Sequence, residues 1–143
     1  MSARRIIYTA GVFDLFHPGH VEILQESANL GDVLYVGVVS DAGTEAYKNR
    51  QPQFNERERI EIVRSMRCVD RVFLQPGTDP SPVLRHLAAV GQTPSLFTHG
   101  DDWTELLEGA DTLRELGIEF RTIPRTRGRC TSRLVEQIRA GAA

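Results

Sequence analysis

Two histidines three residues apart, His17 and His20, stand around a Pro-Gly pair in the stretch GVFDLFHPGH, residues 11–20. An imidazole can donate to a phosphate oxygen, take up a proton or ligate a metal, so the setting of the pair decides its chemistry. The stretch follows an apolar run, RRIIYTA (4–10), and precedes an amphipathic one, HVEILQESANL (20–30), which makes it a strand-to-helix loop. Pro18 suits the first helical position, so His17 becomes the N-cap and His20 falls in the first turn. The unpaired N–H groups and positive dipole end of a helix start form an anion site. Gly11 and Gly19 would let backbone approach a phosphate closely. A lone histidine at a helix start reads as a solvated cap. Two of them, with two glycines, in a loop after a strand read as phosphate ligands.

A second concentration of cations and hydroxyls precedes the last helical period. RTRGRCTS (125–132) brings Arg125, Thr126, Arg127, Arg129, Thr131 and Ser132 together around Gly128, again at a helix start. Further candidates are spread along the chain. Lys48 lies in a polar stretch (41–53) without a period, read as a mobile loop, where a lysine usually faces solvent. Arg59 and Arg67 belong to ERERIEIVRSMRCVD (56–70), either facing the site or on a solvated helix face. Asp14 is expected to hold its own turn by local hydrogen bonds rather than to bind metal. Asp101, Asp102 and Trp103 follow an apolar run and stand at an edge where ligands bind, although a tryptophan there can also serve packing. Asp70 has a structural reading as good as a functional one.

The elements that must hold these residues alternate in type. Short apolar runs at 4–10, 33–40, 71–74, 95–99 and 118–123 read as strands. Between them come helical periods: Val21, Leu24 and Ala28, stopped by Gly31; then Ile60, Val63 and Met66 behind an Asn55/Glu58 capping box. Ser81 with Pro82 opens a helix that ends at Gly91, and Leu106, Leu107, Ala110 and Leu113 line one closed by Gly117. Leu134, Val135 and Ile138 mark the last helix. Strands alternating with helices imply βαβ units with right-handed crossovers, hence a parallel sheet covered on both faces. Ligands bind such sheets beyond the carboxyl ends of the strands, which is where the stretches above fall.

Composition narrows the class. The 143 residues suit one domain, 1–143, and a formal net charge of −2 carries no nucleic-acid footprint. No apolar stretch approaches the roughly 20 residues that span a bilayer. Two cysteines, Cys68 and Cys130, form neither a disulfide framework nor a zinc spacing, so a reducing cytoplasm is the expected location.

Gly11-x-Phe13-Asp14-x-x-His17-x-Gly19-His20 resembles the signature of cytidylyltransferases within the HxGH nucleotidyltransferase superfamily. RTRGRCTS resembles that family's C-terminal RTxGIST(T/S) motif, and HGDDW (99–103) the GDDW of glycerol-3-phosphate cytidylyltransferases. The matches run in family order over nearly the whole chain. The resemblance implies a Rossmann-like three-layer sandwich with a parallel five-stranded sheet. It implies a homodimer that transfers CMP from CTP, with Mg²⁺ bridging the triphosphate, to a small phosphate- or phosphonate-bearing alcohol. By the same resemblance His17, His20, Lys48 and Arg125 are catalytic. Gly11, Val12, Phe13, Gly19, Asp102, Thr126, Gly128, Thr131 and Ser132 contact the nucleotide, and Arg59, Arg67 and Arg129 the acceptor.

Such a transfer needs charge stabilisation and positioning and no nucleophilic side chain. An acceptor phosphate, with a second pKa of about 6, attacks without a general base. Four departures from the pattern concern the acceptor. Val12 replaces a threonine, only Lys48 represents a lysine cluster, Arg129-Cys130 replaces Ile-Ser, and Thr-Glu-Leu-Leu follows Trp103. HxGH enzymes that use ATP share the histidine loop, so an adenylyltransferase acting on a sugar phosphate is the alternative. A nucleotide-binding regulatory module without catalysis is the other.

Overall fold

Each strand runs in the same direction as its neighbours, and the order of pairing, not the order of sequence, creates the site. The computed structural model describes residues 3–101, 108–124 and 131–141. Its strands are β1 (Ile6–Gly11), β2 (Val33–Val39), β3 (Arg71–Gln75), β4 (Leu96–Gly100) and β5 (Glu119–Ile123). They form one parallel sheet in the order β3-β2-β1-β4-β5. The helices are α1 (Pro18–Ala28), α2 (Asp41–Lys48), α3 (Glu56–Arg64), α4 (Ser81–Ala89), α5 (Ala110–Leu116) and α6 (Thr131–Gly141).

Alternation along the strands sends successive side chains to opposite faces. Ile7, Leu34, Val36, Val38 and Leu96 pack with Leu24 of α1 and Val63 of α3. Tyr8, Ala10, Val33, Tyr35 and Phe97 pack on the other side with Leu84 and Leu87 of α4 and Leu113 of α5. The inner strand β2 is buried along its whole length, which explains its continuous apolar run. This is the Rossmann-like α/β sandwich expected from the sequence.

From β1 the chain builds outward through β2 to β3, then returns across the sheet to pair β4 on the other side of β1. The order therefore reverses between β1 and β4, and a crevice opens beyond their carboxyl ends. Buried hydroxyls stitch the seam. Thr9 Oγ1 donates to Thr98 O (2.9 Å), and Ser27 Oγ of α1 lies 2.8 Å from Thr98 Oγ1.

Three local readings change. Residues 41–48 are helix α2, not part of a mobile loop. Ser40 Oγ caps it by accepting from Gly43 N–H (3.0 Å), Asp41 sits in its first turn, Lys48 in its last, and Asn49 closes it at φ 56°. Gly43 weakened the helical pattern, yet a Cβ there would lie 2.6 Å from Pro76 O, so close docking of α2 demands glycine. Helix α4 begins at Ser81 itself. Asp79 Oδ1 accepts from Ser81 N–H (2.9 Å), which moves the capping carboxylate two residues upstream of the expected hydroxyl. Helix α5 starts at Ala110 after Gly109 at φ 85°, while Leu106 and Leu107 lie outside the described residues.

Candidate active site

The start of α1 closes on itself through its two histidines. His17 Nδ1 accepts from Gly19 N–H (3.0 Å), and His20 Nδ1 accepts from His17 N–H (3.2 Å). This is a reciprocal capping box with imidazoles where Ser and Glu usually stand. His20 N–H and Val21 N–H both donate to His17 O, at 2.9 and 3.2 Å, and Pro18 has no N–H. The backbone donors expected to meet a phosphate, Gly19 N–H among them, are thus engaged within the turn. The two rings are left as its remaining polar chemistry, and Nε2 of His17 is buried.

Those rings are packed, not loose. Their centroids lie 3.9 Å apart, and His20 also meets Phe16 at 5.2 Å and Phe13 at 5.4 Å. Burial pushes the His20 pKa down to about 3, with the charges of His17 and Lys48 adding to the effect. His20 is therefore neutral at physiological pH. Phe13, expected to touch nucleotide, is buried and forms a wall of the His20 pocket. Gly11 serves the same packing, because a Cβ there would lie 3.1 Å from the Phe13 ring.

The loop that carries the histidines is bent into an uncommon shape. Phe13 and Leu15 take φ of 56° and 49°, a region that bulky side chains seldom occupy. A clasp from the opposite loop holds it there. Asp14 accepts from Gln53 N–H (2.8 Å) and Phe54 N–H (2.9 Å), bonds that reach 39 and 40 residues along the chain where a local turn bond was expected. Arg59 answers from the other side. Its Nη1 donates to Val12 O and Val39 O (both 2.7 Å), Nε to Phe54 O (2.9 Å) and Nη2 to Asp41 Oδ1 (2.7 Å).

Arg59 is fully buried, so its expected contact with an acceptor is replaced by a role in joining the loops after β1 and β2. Asp41, which sequence reasoning passed over, is its ionic partner. The signal for it was present: Ser40 as a cap, an acid next to it and Lys48 at the end of one helical span.

Other candidates divide by place. Lys48 ends α2, and its charge acts on His20. Val12 follows β1 and offers its carbonyl to Arg59. Arg67 is exposed in the turn between α3 and the start of β3, at the sheet edge opposite the carboxyl ends, which corrects the expected acceptor contact within one chain. Asp70 Oδ2 accepts from Leu34 N–H (2.8 Å), a structural bond. Thr131 and Ser132 open α6 after β5. Asp102, Trp103, Arg125, Thr126, Gly128, Arg129 and Cys130 lie outside the described residues. Among the described residues no group of three or more His, Cys, Asp or Glu is arranged to hold a metal.

Comparison with known proteins agrees with this geometry. A family model described as cytidylyltransferase-like matches residues 8–136. The chain is 34% identical over 137 residues to the bifunctional protein HldE of Citrifermentans bemidjiense, covering 94% of this chain and 27% of that one. It is 34% identical over 133 residues to HldE of Gluconobacter oxydans, covering 92% of this chain and 27% of that protein. The chain thus spans about a quarter of the length of these relatives.

Among solved structures, the lipopolysaccharide core biosynthesis protein of Thermoplasma volcanium superposes with a TM-score of 0.66 at 28% identity, over 89% of this chain and all of that one. A pantothenate synthetase from Thermus thermophilus shares the fold at TM-score 0.60 and 18% identity, over 96% of this chain and 64% of that one. With the histidine turn, the strand order and a family match from β1 into α6, the chain belongs to the cytidylyltransferase-like family of the HxGH nucleotidyltransferase superfamily.

Proposed function

We propose that this protein transfers an adenylyl group from ATP to a small sugar phosphate and releases pyrophosphate. The observation that carries the transfer chemistry is the mutually capped histidine pair, with His20 neutral beside the Lys48 charge, at the end of β1 next to the reversal of strand order. A phosphate oxygen of the acceptor attacks the α-phosphorus, the bond to the β-phosphate oxygen breaks, and pyrophosphate departs with the electron pair. A neutral His20 suits donation to a phosphate oxygen, where charge builds up in the transition state. Lys48 and Arg125 neutralise phosphates, and Thr126, Gly128, Thr131 and Ser132 hold the nucleotide. Arg129, Asp102 and Val12 remain assigned by resemblance. Mg²⁺ arrives with the triphosphate as part of the substrate, since its oxygens and water supply the ligands a hard cation prefers.

Similarity to HldE proteins and to a lipopolysaccharide core biosynthesis protein supports a sugar acceptor and moves the preference from CTP to ATP. The CTP reading, with a phosphorylated or phosphonate alcohol as acceptor, keeps one feature in its favour, the HGDDW stretch. A pyrophosphate-release screen crosses ATP and CTP with sugar phosphates, glycerol 3-phosphate and phosphonate alcohols. Release with ATP and a sugar phosphate is expected. Release only with CTP would overturn the base assignment, and nucleotide binding without release from any pair would leave a regulatory module. A homodimer belongs to the same proposal, and sedimentation of the purified chain measures it.

A further inference from the structure

A backbone N–H can only donate, so the atom it meets must present a lone pair. At the start of α1 that atom is Nδ1 in both histidines. Gly19 N–H points to His17 Nδ1 at 3.0 Å, and His17 N–H to His20 Nδ1 at 3.2 Å. A neutral imidazole with its lone pair on Nδ1 carries its proton on Nε2. We propose that the reciprocal histidine cap is a tautomer lock, which fixes His17 and His20 as Nε2–H donors before any nucleotide arrives. The α1 N-terminus then reaches a phosphate through two rings instead of through its own N–H groups. Only the phosphate as recipient rests on the transferase reading; the lock itself is a property of the protein alone.

Three features hold the lock shut. Each cap bond draws on backbone already fixed by the turn, because His17 O also accepts from His20 N–H and Val21 N–H. Turning the His20 ring over would set a carbon against His17 N–H and lose the bond. The ring has little room to do so between Phe13, Phe16 and His17. A second proton on His20 would fall on Nδ1 and break the cap. It is opposed by burial, by competition with a proton on the neighbouring His17 and by the charge of Lys48 from α2, while Phe13 and Phe16 add no charge. The consequence for function is preorganisation: donors already aimed and protonated need no rearrangement at the moment of transfer.

The test reads the rings directly. In histidine-¹⁵N-labelled protein without nucleotide, long-range ¹H–¹⁵N correlation near neutral pH is expected to give the Nε2–H pattern for both residues. An Nδ1–H pattern, or averaging between the two tautomers, in either ring would overturn the lock. His17→Asn keeps an oxygen that can cap Gly19 N–H but has no ε donor. In that variant the His20 pattern should persist, because its own donor is the backbone of residue 17, and loss of the pattern would count against the proposal. Addition of magnesium pyrophosphate, which carries no base, should shift the Nε2–H resonances of the wild type. A pattern that is present but unmoved by pyrophosphate would overturn the phosphate-donor role, whichever nucleotide the enzyme prefers.

Discussion

At the scale of single residues, the histidines carry two duties that separate on substitution. Each caps α1, a contribution of about 1 kcal/mol, and each is assigned as a donor to the reacting phosphates. His17→Ala and His20→Ala should therefore each lower kcat by at least ~100-fold, the effect of losing one transition-state donor, with only a modest fall in melting temperature. Steady-state pyrophosphate release and thermal melts of the same samples check both halves. His20 also makes stability depend on pH. Its folded pKa, about 3, lies below the unfolded value of about 6.5. Above that unfolded value the contribution is fully present. As pH falls below it, the unfolded chain binds a proton that the folded chain refuses, and stability drops by up to ~1.4 kcal/mol per pH unit until the folded pKa is reached. Urea midpoints near neutral pH and near pH 5 should show the decline, and His20→Gln should remove its share of the slope.

At the scale of elements, the clasp between the loop after β1 and residues 53–54 decides whether the histidine turn keeps its shape. Two residues with positive φ, Phe13 and Leu15, would relax if their surroundings let go. Arg59 supplies the tie from α3, and its charge is compensated by Asp41 at the start of α2. Arg59→Met removes a fully buried cation and leaves three carbonyls and a carboxylate without their donor. A loss of ~3–5 kcal/mol is expected, the cost of breaking a buried ionic pair from one side. Denaturant unfolding measures it. If Arg59 instead touched the acceptor, the variant would keep its stability and show a raised KM alone. Sequence periodicity could not reveal this tie, because an arginine on a helix reads the same whether it faces water or the core.

At the scale of the whole molecule, a buried polar bridge joins strands that do not touch. Tyr8 Oη of β1 donates to Gln75 Oε1 of β3 at 2.6 Å, and Gln75 Nε2 donates to Gly77 O at 2.8 Å. The bridge passes β2 at Gly37, where a Cβ would lie 1.9 Å from Tyr8 Oη and 2.8 Å from Gln75 Oε1. The same turn receives α2 through Ser40, whose Oγ donates to Pro76 O (2.8 Å) and whose N–H donates to Gln75 O (2.8 Å). The bridge thus holds the helix that ends in Lys48. Gly37→Ala should destabilise the fold by several kcal/mol, at or above the ~1–3 expected for overpacking. Tyr8→Phe combined with Gly37→Ala should lose less than the sum of the two single changes, since the clashing oxygen is gone. A double-mutant cycle of unfolding free energies decides, and strict additivity would show that the bridge does not pass through that gap.

The sequence by itself determined the strand–helix alternation, the two-sided burial of the sheet and the position of the histidine turn after the first strand. Those follow from periodicity and from short-range rules of capping, which act within a few residues. Gly43, Asp14 and Arg59 show where such rules stop. The glycine meant close docking and not a loop, the aspartate bonded 39 and 40 residues away, and the arginine turned inward to three carbonyls. Only the tertiary structure decided that the N–H groups at the start of α1 are consumed by the histidines themselves, because the loop's positive φ values and the clasp that permits them depend on contacts between distant parts of the chain.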